Sequence, residues 1–446
     1  MSTTRSFTRR GFLRRTAAVA AAAVGAPVVV PSSVLGADGK VAPSNRVTVG
    51  MIALGRQAIA RNLPVFLRWP DSQVVALCDP DRFRLAFGAE GGKRYGGTKE
   101  EAETLKDCPR YTDYREVLAR KDVDAVMISS PDHWHVSMAV AAAKAGKDIC
   151  CEKPLSLSIA AGRLLADTVA KHKCVFRTDS EFRSIRAFHR ACLLVRAGKI
   201  GKLQTIRMAV PSWNKALPQQ PEMPVPKELE YDLWLGPAPM KPYTVERVHP
   251  NKSYGRPGWY ANQDYCDGVI VNWGHHLADV SQWANDTDRT GPVEIEGTGE
   301  FPPADGLHNV LMEYKVQYKY ANGVRLHYTY GKPFVRFEGT EGWINVQYGP
   351  DKFTAEPASL VDAKVEDPRF PLKNEKRDFI DCVKSRSQTM EDAEVGHRST
   401  SLCQLGYIAV QTGEKLKWDP AKERFLNSDA ANKLLTRPPG RKPWGV

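Results

Sequence analysis

The chain lacks the features that mark proteins outside the ordinary globular class. Nine cysteines in 446 residues, an odd number, do not make a disulfide framework. Only one apolar stretch approaches membrane length, and it lies at the extreme N-terminus. No internal repeat is visible. The formal net charge is +12, but five of those charges are arginines within residues 1–36, which hold no acid, leaving +7 for the rest. That remainder has no run of four basic residues and no basic–aromatic repeat, so it reads as a mildly basic surface with no nucleic-acid footprint. The 42% hydrophobic and 26% charged content that is present belongs to a globular chain and excludes a disordered tail or a fibre. The length sets two or three domains.

At the N-terminus, Thr8-Arg9-Arg10-Gly11-Phe12-Leu13-Arg14 puts paired arginines directly before residues 16–30, mostly alanine and valine. That segment is too short and too weakly apolar to span a bilayer stably. Small residues follow, with Val34-Leu35-Gly36 before Ala37 as a cleavage site. These are the regions of a signal peptide, and the paired arginines resemble the twin-arginine (Tat) class. The expectation is a signal over 1–36, export in the folded state by the Tat machinery, and a periplasmic mature protein with no membrane anchor. The alternative is a basic tail before an Ala-rich helix.

From Val47 onward, short apolar runs alternate with amphipathic stretches. Residues 47–52, 73–78, 125–128 and 148–151 read as buried strands; 56–69, 135–145 and 158–172 read as helices. This predicts right-handed βαβ units and a parallel, doubly wound sheet over 45–178. Residues 179–420 form the second domain and 421–446 a tail. A helix over 185–197 leads to a strand over 203–210. Nine prolines between Pro211 and Pro250 then predict a long surface arm. Residues 309–319, 323–330 and 335–346 alternate polar with apolar side chains, predicting antiparallel strands with one solvated face. Helices over 375–384 and 398–412 are expected to pack back on the first domain.

The first strand runs into Ala53-Leu54-Gly55-Arg56-Gln57-Ala58, where a dinucleotide-binding G-x-G-x-x-G/A would sit. Gly55 stands where backbone approaches a pyrophosphate, and Ala58 is an accepted variant. Ala53 departs from the pattern, because a turn at positive φ costs an alanine about 1 kcal/mol. Asp79 ends the second strand, where a carboxylate accepts ribose hydroxyls and favours NAD over NADP. Arg82 and Arg84 are the nearby residues able to accommodate a phosphate. Without Asp79 the stretch would equally be a structural strand–turn–helix.

Ser130-Pro131-Asp132-His133-Trp134-His135 follows another strand end. No cysteine or carboxylate joins the His-x-His pair at ligand spacing, so the expectation is no metal but an aromatic and two imidazoles beside a cofactor. Cys151-Glu152-Lys153-Pro154 falls past the next strand, where lysine suits proton transfer, although an exposed loop lysine fits the same pattern. If Asn272-Trp273-Gly274-His275-His276-Leu277-Ala278-Asp279 is helical throughout, Asn272 and His276 share a face with Asp279 one turn on. The bland reading of the histidine pair is packing.

Taken in order, the nucleotide turn, Cys78-Asp79-Pro80-Asp81, Pro131-Asp132-His133-Trp134-His135, Ala145-Gly146-Lys147-Asp148, Glu152-Lys153-Pro154-Leu155 and Asn272-Trp273-Gly274-His275-His276 resemble the glucose–fructose oxidoreductase / inositol dehydrogenase (Gfo/Idh/MocA) family. Tyr231-Asp232-Leu233-Trp234-Leu235-Gly236-Pro237, Phe337-Glu338-Gly339-Thr340-Glu341-Gly342-Trp343 and Trp418-Asp419-Pro420 are similar to its exported branch. The resemblance implies an α/β protein: an N-terminal Rossmann domain, then a C-terminal α/β domain whose open antiparallel sheet often forms the oligomer contact. It implies bound NAD, with NADP second. Ala53, Gly55, Arg56, Gln57 and Asp79 are its cofactor residues on the nucleotide turn. Ser130, Pro131, His133, His135, Glu152 and Lys153 are those on the later loops. Lys153 and His276 take the catalytic positions around the reacting hydroxyl. Trp134, Arg183, Asn272, His275 and Asp279 are assigned to the substrate. Asn272 stands where the family has aspartate, so His276 is expected to titrate low for want of an ion-pair partner. The implied function is an exported oxidoreductase acting on a sugar, cyclitol or derivative with tightly held cofactor. A redox-neutral glycosidase or lyase, working by transient oxidation and elimination, and a non-catalytic binding relative are the alternatives.

Overall fold

The computed structural model describes residues 41–89, 98, 103–212, 216–349 and 352–445; the signal expected over 1–36 lies outside them. The chain divides into residues 1–46 and 47–446. Within the first unit, a 3-10 turn (Pro43–Asn45) is followed by Arg46, whose guanidinium donates to the Val41 carbonyl at 2.9 and 3.0 Å.

The larger unit opens with β1 (Val47–Ile52). A helical run follows, first a π-turn (Ala58–Asn62) and then α1 (Leu63–Arg68). Next come β2 (Ser72–Cys78), α2 (Arg82–Ala89), β3 (Arg110–Tyr111), α3 (Tyr114–Ala119) and β4 (Ala125–Ile128). A 3-10 turn (Asp132–Trp134) leads into α4 (His135–Lys144), β5 (Asp148–Glu152), α5 (Ile159–His172) and β6 (Phe176–Asp179). The six strands pair in parallel in the order 3-2-1-4-5-6. In this doubly wound order the chain reverses between β1 and β4, and a cleft opens at their carboxyl ends. Every residue of β4 and β5 is buried, as strands covered on both faces require.

Past a 3-10 turn (Phe182–Ser184) come α6 (Arg186–Arg196), β7 (Leu203–Val210), the proline-rich arm with α7 (Tyr231–Leu235), α8 (Val269–Asn272) and α9 (Gly274–Ala284). Strands β8 (Glu294–Glu300), β9 (Glu313–Lys319), β10 (Arg325–Tyr330), β11 (Phe334–Gly339), β12 (Trp343–Gln347) and β13 (Lys352–Glu356) follow. The chain closes with α10 (Glu375–Ser385), α11 (Ala393–Thr412), β14 (Leu416–Asp419), β15 (Arg424–Phe425) and α12 (Asp429–Lys433). The second sheet runs 13-12-11-7-10-9-8-14-15. It is antiparallel but for β7 and β10. Consecutive β10 and β11 run in opposite directions, so β7, inserted between them, has to parallel one. The run expected over 335–346 is a hairpin, β11 and β12. Tyr314, Val316 and Tyr318 of β9 point inward and their neighbours outward, which is the alternation of a one-sided sheet.

The arm is a cover with its own apolar core, in which Leu229, Trp234, Leu235, Tyr243, Val248 and Tyr265 pack together. It is stitched over the end of β2, where Arg82 N–H donates to Glu228 O and Glu230 N–H to Pro80 O, both at 2.9 Å. Among the described residues, no helix is long and apolar enough to cross a membrane.

Helices α10 and α11 pack on the parallel sheet through buried charges. Lys376 is 2% exposed and lies 2.7 Å from Asp179 and 2.8 Å from Glu375. Arg177 of β6 pairs with Glu391 at 3.0 Å. Removing one partner of such a pair strands the other. Lys376→Met should therefore lower unfolding free energy by about 3–5 kcal/mol in a urea titration, with most of the loss recovered in Lys376→Met/Asp179→Leu.

Candidate active site

A cavity of about 670 Å³ opens at the carboxyl ends of β1, β2, β4 and β5. At its first turn Ala53 sits at φ 67°, the strained conformation a glycine would adopt freely. Main-chain bonds hold it there. Ala53 N–H donates to Cys78 O at 2.8 Å, while Asp79 accepts from Leu54 N–H at 2.7 Å and from Asp81 N–H at 2.8 Å. Burial pushes the Asp79 carboxyl up to about 6, against the opposing pull of Arg84.

The wall fits a dinucleotide. A Cβ on Gly55 would meet only the Arg84 guanidinium, at 4.0 Å, so backbone faces open space there. Arg56 and Gln57 begin the helical run, and first-turn N–H groups without intrahelical acceptors suit a diphosphate. Ser130 Oγ is buried on the cavity wall without a hydrogen-bond partner. Arg82 is engaged by Glu230 at 2.6 Å. Arg84 lies 3.5 Å from Asp81 and donates to His249 and Ser253 O. Both guanidiniums thus lie against a carboxylate, and Asp79 stands where the 2′-hydroxyl of NAD would need an acceptor.

At the other end of the cavity, Lys153 Nζ donates to Asn272 Oδ1 at 2.8 Å and to Asn272 O at 3.1 Å. Asn272 Nδ2 donates to both Asp132 oxygens, at 3.0 and 2.9 Å, and the Tyr260 hydroxyl donates to Oδ1 at 2.7 Å. Beside them His276 stacks on Phe182 with centroids 4.6 Å apart, and its Nδ1 lies 3.1 Å from Ser180 Oγ. Burial, with Lys153, His275 and Lys376 adding positive charge, holds His276 well below the usual imidazole range. Its low affinity for protons therefore comes from burial and nearby cations, whereas the sequence had pointed to the amide at 272. Burial likewise raises the carboxyls of Asp132, Glu152 and Glu181.

Of the three residues expected to share a face, Asn272 and His276 both line the cavity and Asp279 does not. The helix is interrupted at Trp273, and the three side chains reach Lys153, Ser180 and Arg183 respectively. Helix α9 is buried along its whole length, so each of its polar groups needs a protein partner. Arg183 and Asp279, 1% and 0% exposed, form a forked pair with contacts of 2.6–2.9 Å. His275 lies 2.9 Å from Glu391 and 3.0 Å from Thr400. None of these three lines the cavity, which corrects their assignment to the substrate. His133 and His135 also sit behind the wall rather than on it. His135 bridges Pro154 O and Ser130 O, and His133 contacts Trp234 O. Trp134 does line the cavity, where it packs edge-on to Tyr114 and its indole N–H donates to Trp234 O. Ala53, Gly55, Arg56, Gln57, Asp79, Ser130, Pro131, Glu152, Lys153, Asn272 and His276 all line it. Sequence reasoning passed over Asp132, Tyr260, Glu181, Trp273 and Tyr348, which line it too. Asp132 stood inside a motif already singled out, whereas Tyr260 sits on a 3-10 turn (Gly258–Ala261) and Tyr348 just past β12, places that carry no sequence pattern.

Two family models cover most of the chain. "Oxidoreductase family, NAD-binding Rossmann fold" matches residues 47–180, and "Oxidoreductase family, C-terminal alpha/beta domain" matches 211–446. A levoglucosan dehydrogenase of Pseudarthrobacter phenanthrenivorans is 28% identical over 169 residues, 36% of this chain and 39% of that protein. An alpha-N-acetylgalactosaminidase of Shewanella oneidensis is 29% identical over 174 residues, 36% of this chain and 37% of that protein. The match thus spans about two fifths of the length of these curated relatives. The crystal structure of an aldose-aldose oxidoreductase from Caulobacter crescentus superposes with a TM-score of 0.61 over 83% of this chain and 99% of that one, at 17% identity, a likeness of fold.

Because the Asp79 carboxyl titrates near 6, it is ionised at pH 7 and largely protonated at pH 5. Ribose hydroxyls donate to the ionised form, so NAD affinity should fall about tenfold from pH 7 to pH 5. In Asp79→Asn, calorimetric titration should find weaker binding with that pH dependence removed.

Proposed function

The chain belongs to the Gfo/Idh/MocA oxidoreductase family and carries its NAD-binding Rossmann fold, and on that premise we propose that it interconverts a carbinol and a carbonyl on a sugar, cyclitol or sugar derivative. The observation that carries this reading is the seating of Lys153. The two oxygens of Asn272 take two of the three N–H positions of Nζ, leaving one, and Lys153 lines the cavity together with Gly55 and His276. Bound NAD supplies the two-electron acceptor or donor for the substrate carbon. Lys153 exchanges the hydroxyl proton through its free position. Neutral His276, with Nδ1 paired to Ser180 Oγ, leaves its other ring nitrogen to bond the same substrate oxygen and hold it in place. Trp273 and Tyr348, 5.3 Å apart, offer apolar surface to a ring, and Glu181 an acceptor for its hydroxyls. A carbohydrate substrate accords with relatives named for levoglucosan and aldoses.

The same reading extends to export and cofactor retention. Arg9-Arg10 support the twin-arginine route to the periplasm. Free nucleotide is scarce there, and the arm stitched over the end of β2 suits a cofactor that stays bound. The outward face of the nine-stranded sheet, where Arg336 stacks on Trp343 at 3.8 Å, suits contact between copies of the chain. The relative named for glycosidase activity supports one competing reading, a redox-neutral bond cleavage.

Nucleotide should be released when the purified protein is denatured. Lys153→Ala should cut turnover at least about a hundredfold while the melting temperature stays within a few degrees, since the half-buried side chain fills no core volume. Comparable losses of stability and activity would make Lys153 structural. Release of a leaving group from a glycoside with no net change in nucleotide absorbance would move the assignment to the redox-neutral reaction. Replacing Arg9 and Arg10 by lysine should leave the precursor in the cytoplasm, as read by fractionation.

A further inference from the structure

Asp132 is 2% exposed and opens the 3-10 turn after β4, pointing at the cavity end that holds Lys153. Its oxygens accept from Asn272 Nδ2 at 3.0 and 2.9 Å. Asn272 is thus clamped on both ends of its amide: the acceptor-only carboxylate fixes Nδ2, and the donors Lys153 and Tyr260 fix Oδ1. A flipped amide would set Nδ2 against an ammonium and Oδ1 against a carboxylate, repulsive on both sides. An aspartate at 272 would bring a second carboxylate to about 3 Å from the first, and the two could not both ionise. Asn272 is therefore the residue type this neighbour demands.

We propose that Asp132 is a positioning residue for Lys153, acting through Asn272: it orients the amide that holds Nζ and supplies the buried negative charge that an aspartate at 272 would otherwise provide. The inference rests on the reading of Lys153 as the proton-exchanging group. The other ionisable groups near the pair are His135 and Asp267 beside Asp132, and Glu152, His275 and His276 beside Lys153. Those groups stay unchanged in the variants below.

The test is acetylation of Lys153 by acetic anhydride at pH 8, scored by mass spectrometry against exposed Lys227, in the full protein. Asp132→Asn is isosteric and keeps an acceptor toward Asn272, so the fold is retained while the charge is lost. Lys153 should then label about tenfold faster than in the wild type. Asp132→Asn/Asn272→Asp, which moves the carboxylate one residue closer, should label at the wild-type rate or slower. A wild-type rate in Asp132→Asn, or a double variant as fast as the single one, overturns the proposal. Labelling needs no substrate, so it stands apart from the oxidoreductase reading, which fails separately if the wild-type protein binds no NAD. Where turnover is measurable, Asp132→Asn should lower kcat at least fivefold and leave KM for nucleotide unchanged. A merely structural aspartate would move both, together with the melting temperature.

Discussion

The two sheets are held in register by charges that neither could bury alone. Arg177 and Asp179 project from β6, Arg183 from the turn after it, and each meets an opposite charge on or beside a helix of the second domain: Glu391 before α11, Lys376 on α10 and Asp279 on α9. Desolvating any one of these ions costs several kcal/mol, and only a partner at contact distance offsets it. The seam therefore tolerates very little sliding. Strand β5 lies next to β6, and its last residue, Glu152, pairs in register with Asp179. Fixing β6 against the helices thus fixes Lys153, one residue further along, opposite α8 and α9.

That arrangement explains how two adjacent histidines come to have different tasks. His275 turns into the seam, where Thr400 and Glu391 satisfy both ring nitrogens. His276 turns the other way, onto Phe182 and toward the cavity, with one nitrogen engaged by Ser180. A buried imidazole among cations is held well below the usual imidazole range, which keeps it a neutral hydrogen-bonding group and a poor base. In the proposed reaction, proton exchange then falls to Lys153. The acidic groups raised by burial around it, Glu152 and Asp132, set a field that changes little as substrate enters, because they are already screened from water.

The fold was largely legible in the sequence because its signals are local. Continuous apolar runs gave β1, β4 and β5, Ser158 marked the start of α5 as its cap, and period-two alternation gave β9 and β10. The parallel pairing of β7 with β10 was not legible, since it follows from where a distant strand is inserted. The nucleotide end of the site was visible for the same local reason: strand, turn and carboxylate occupy one short stretch. The substrate end was misjudged wherever spacing along one helix stood in for spatial neighbourhood. Asp279 and Arg183 look like site residues when their sequence is read alone. In the fold they satisfy one another, 96 residues apart. Tyr260 and Tyr348 could be found only after the chain had closed around them.

The two departures from the family pattern, Ala53 and Asn272, share one kind of explanation. At Ala53 the cost of a positive φ is about 1 kcal/mol. It is offset because the flanking N–H groups are already committed to Cys78 O and to the Asp79 carboxylate. A glycine there would ease the turn without adding a hydrogen bond. At Asn272 the missing carboxylate stands one contact away, on Asp132. In each case a neighbour fixed by the parallel sheet does what the absent residue would have done. Both positions are thus matched by their surroundings: the turn is held by hydrogen bonds and the amide is partnered at both ends. The departures therefore carry no argument for a lost activity, and the non-catalytic alternative loses the observation that motivated it.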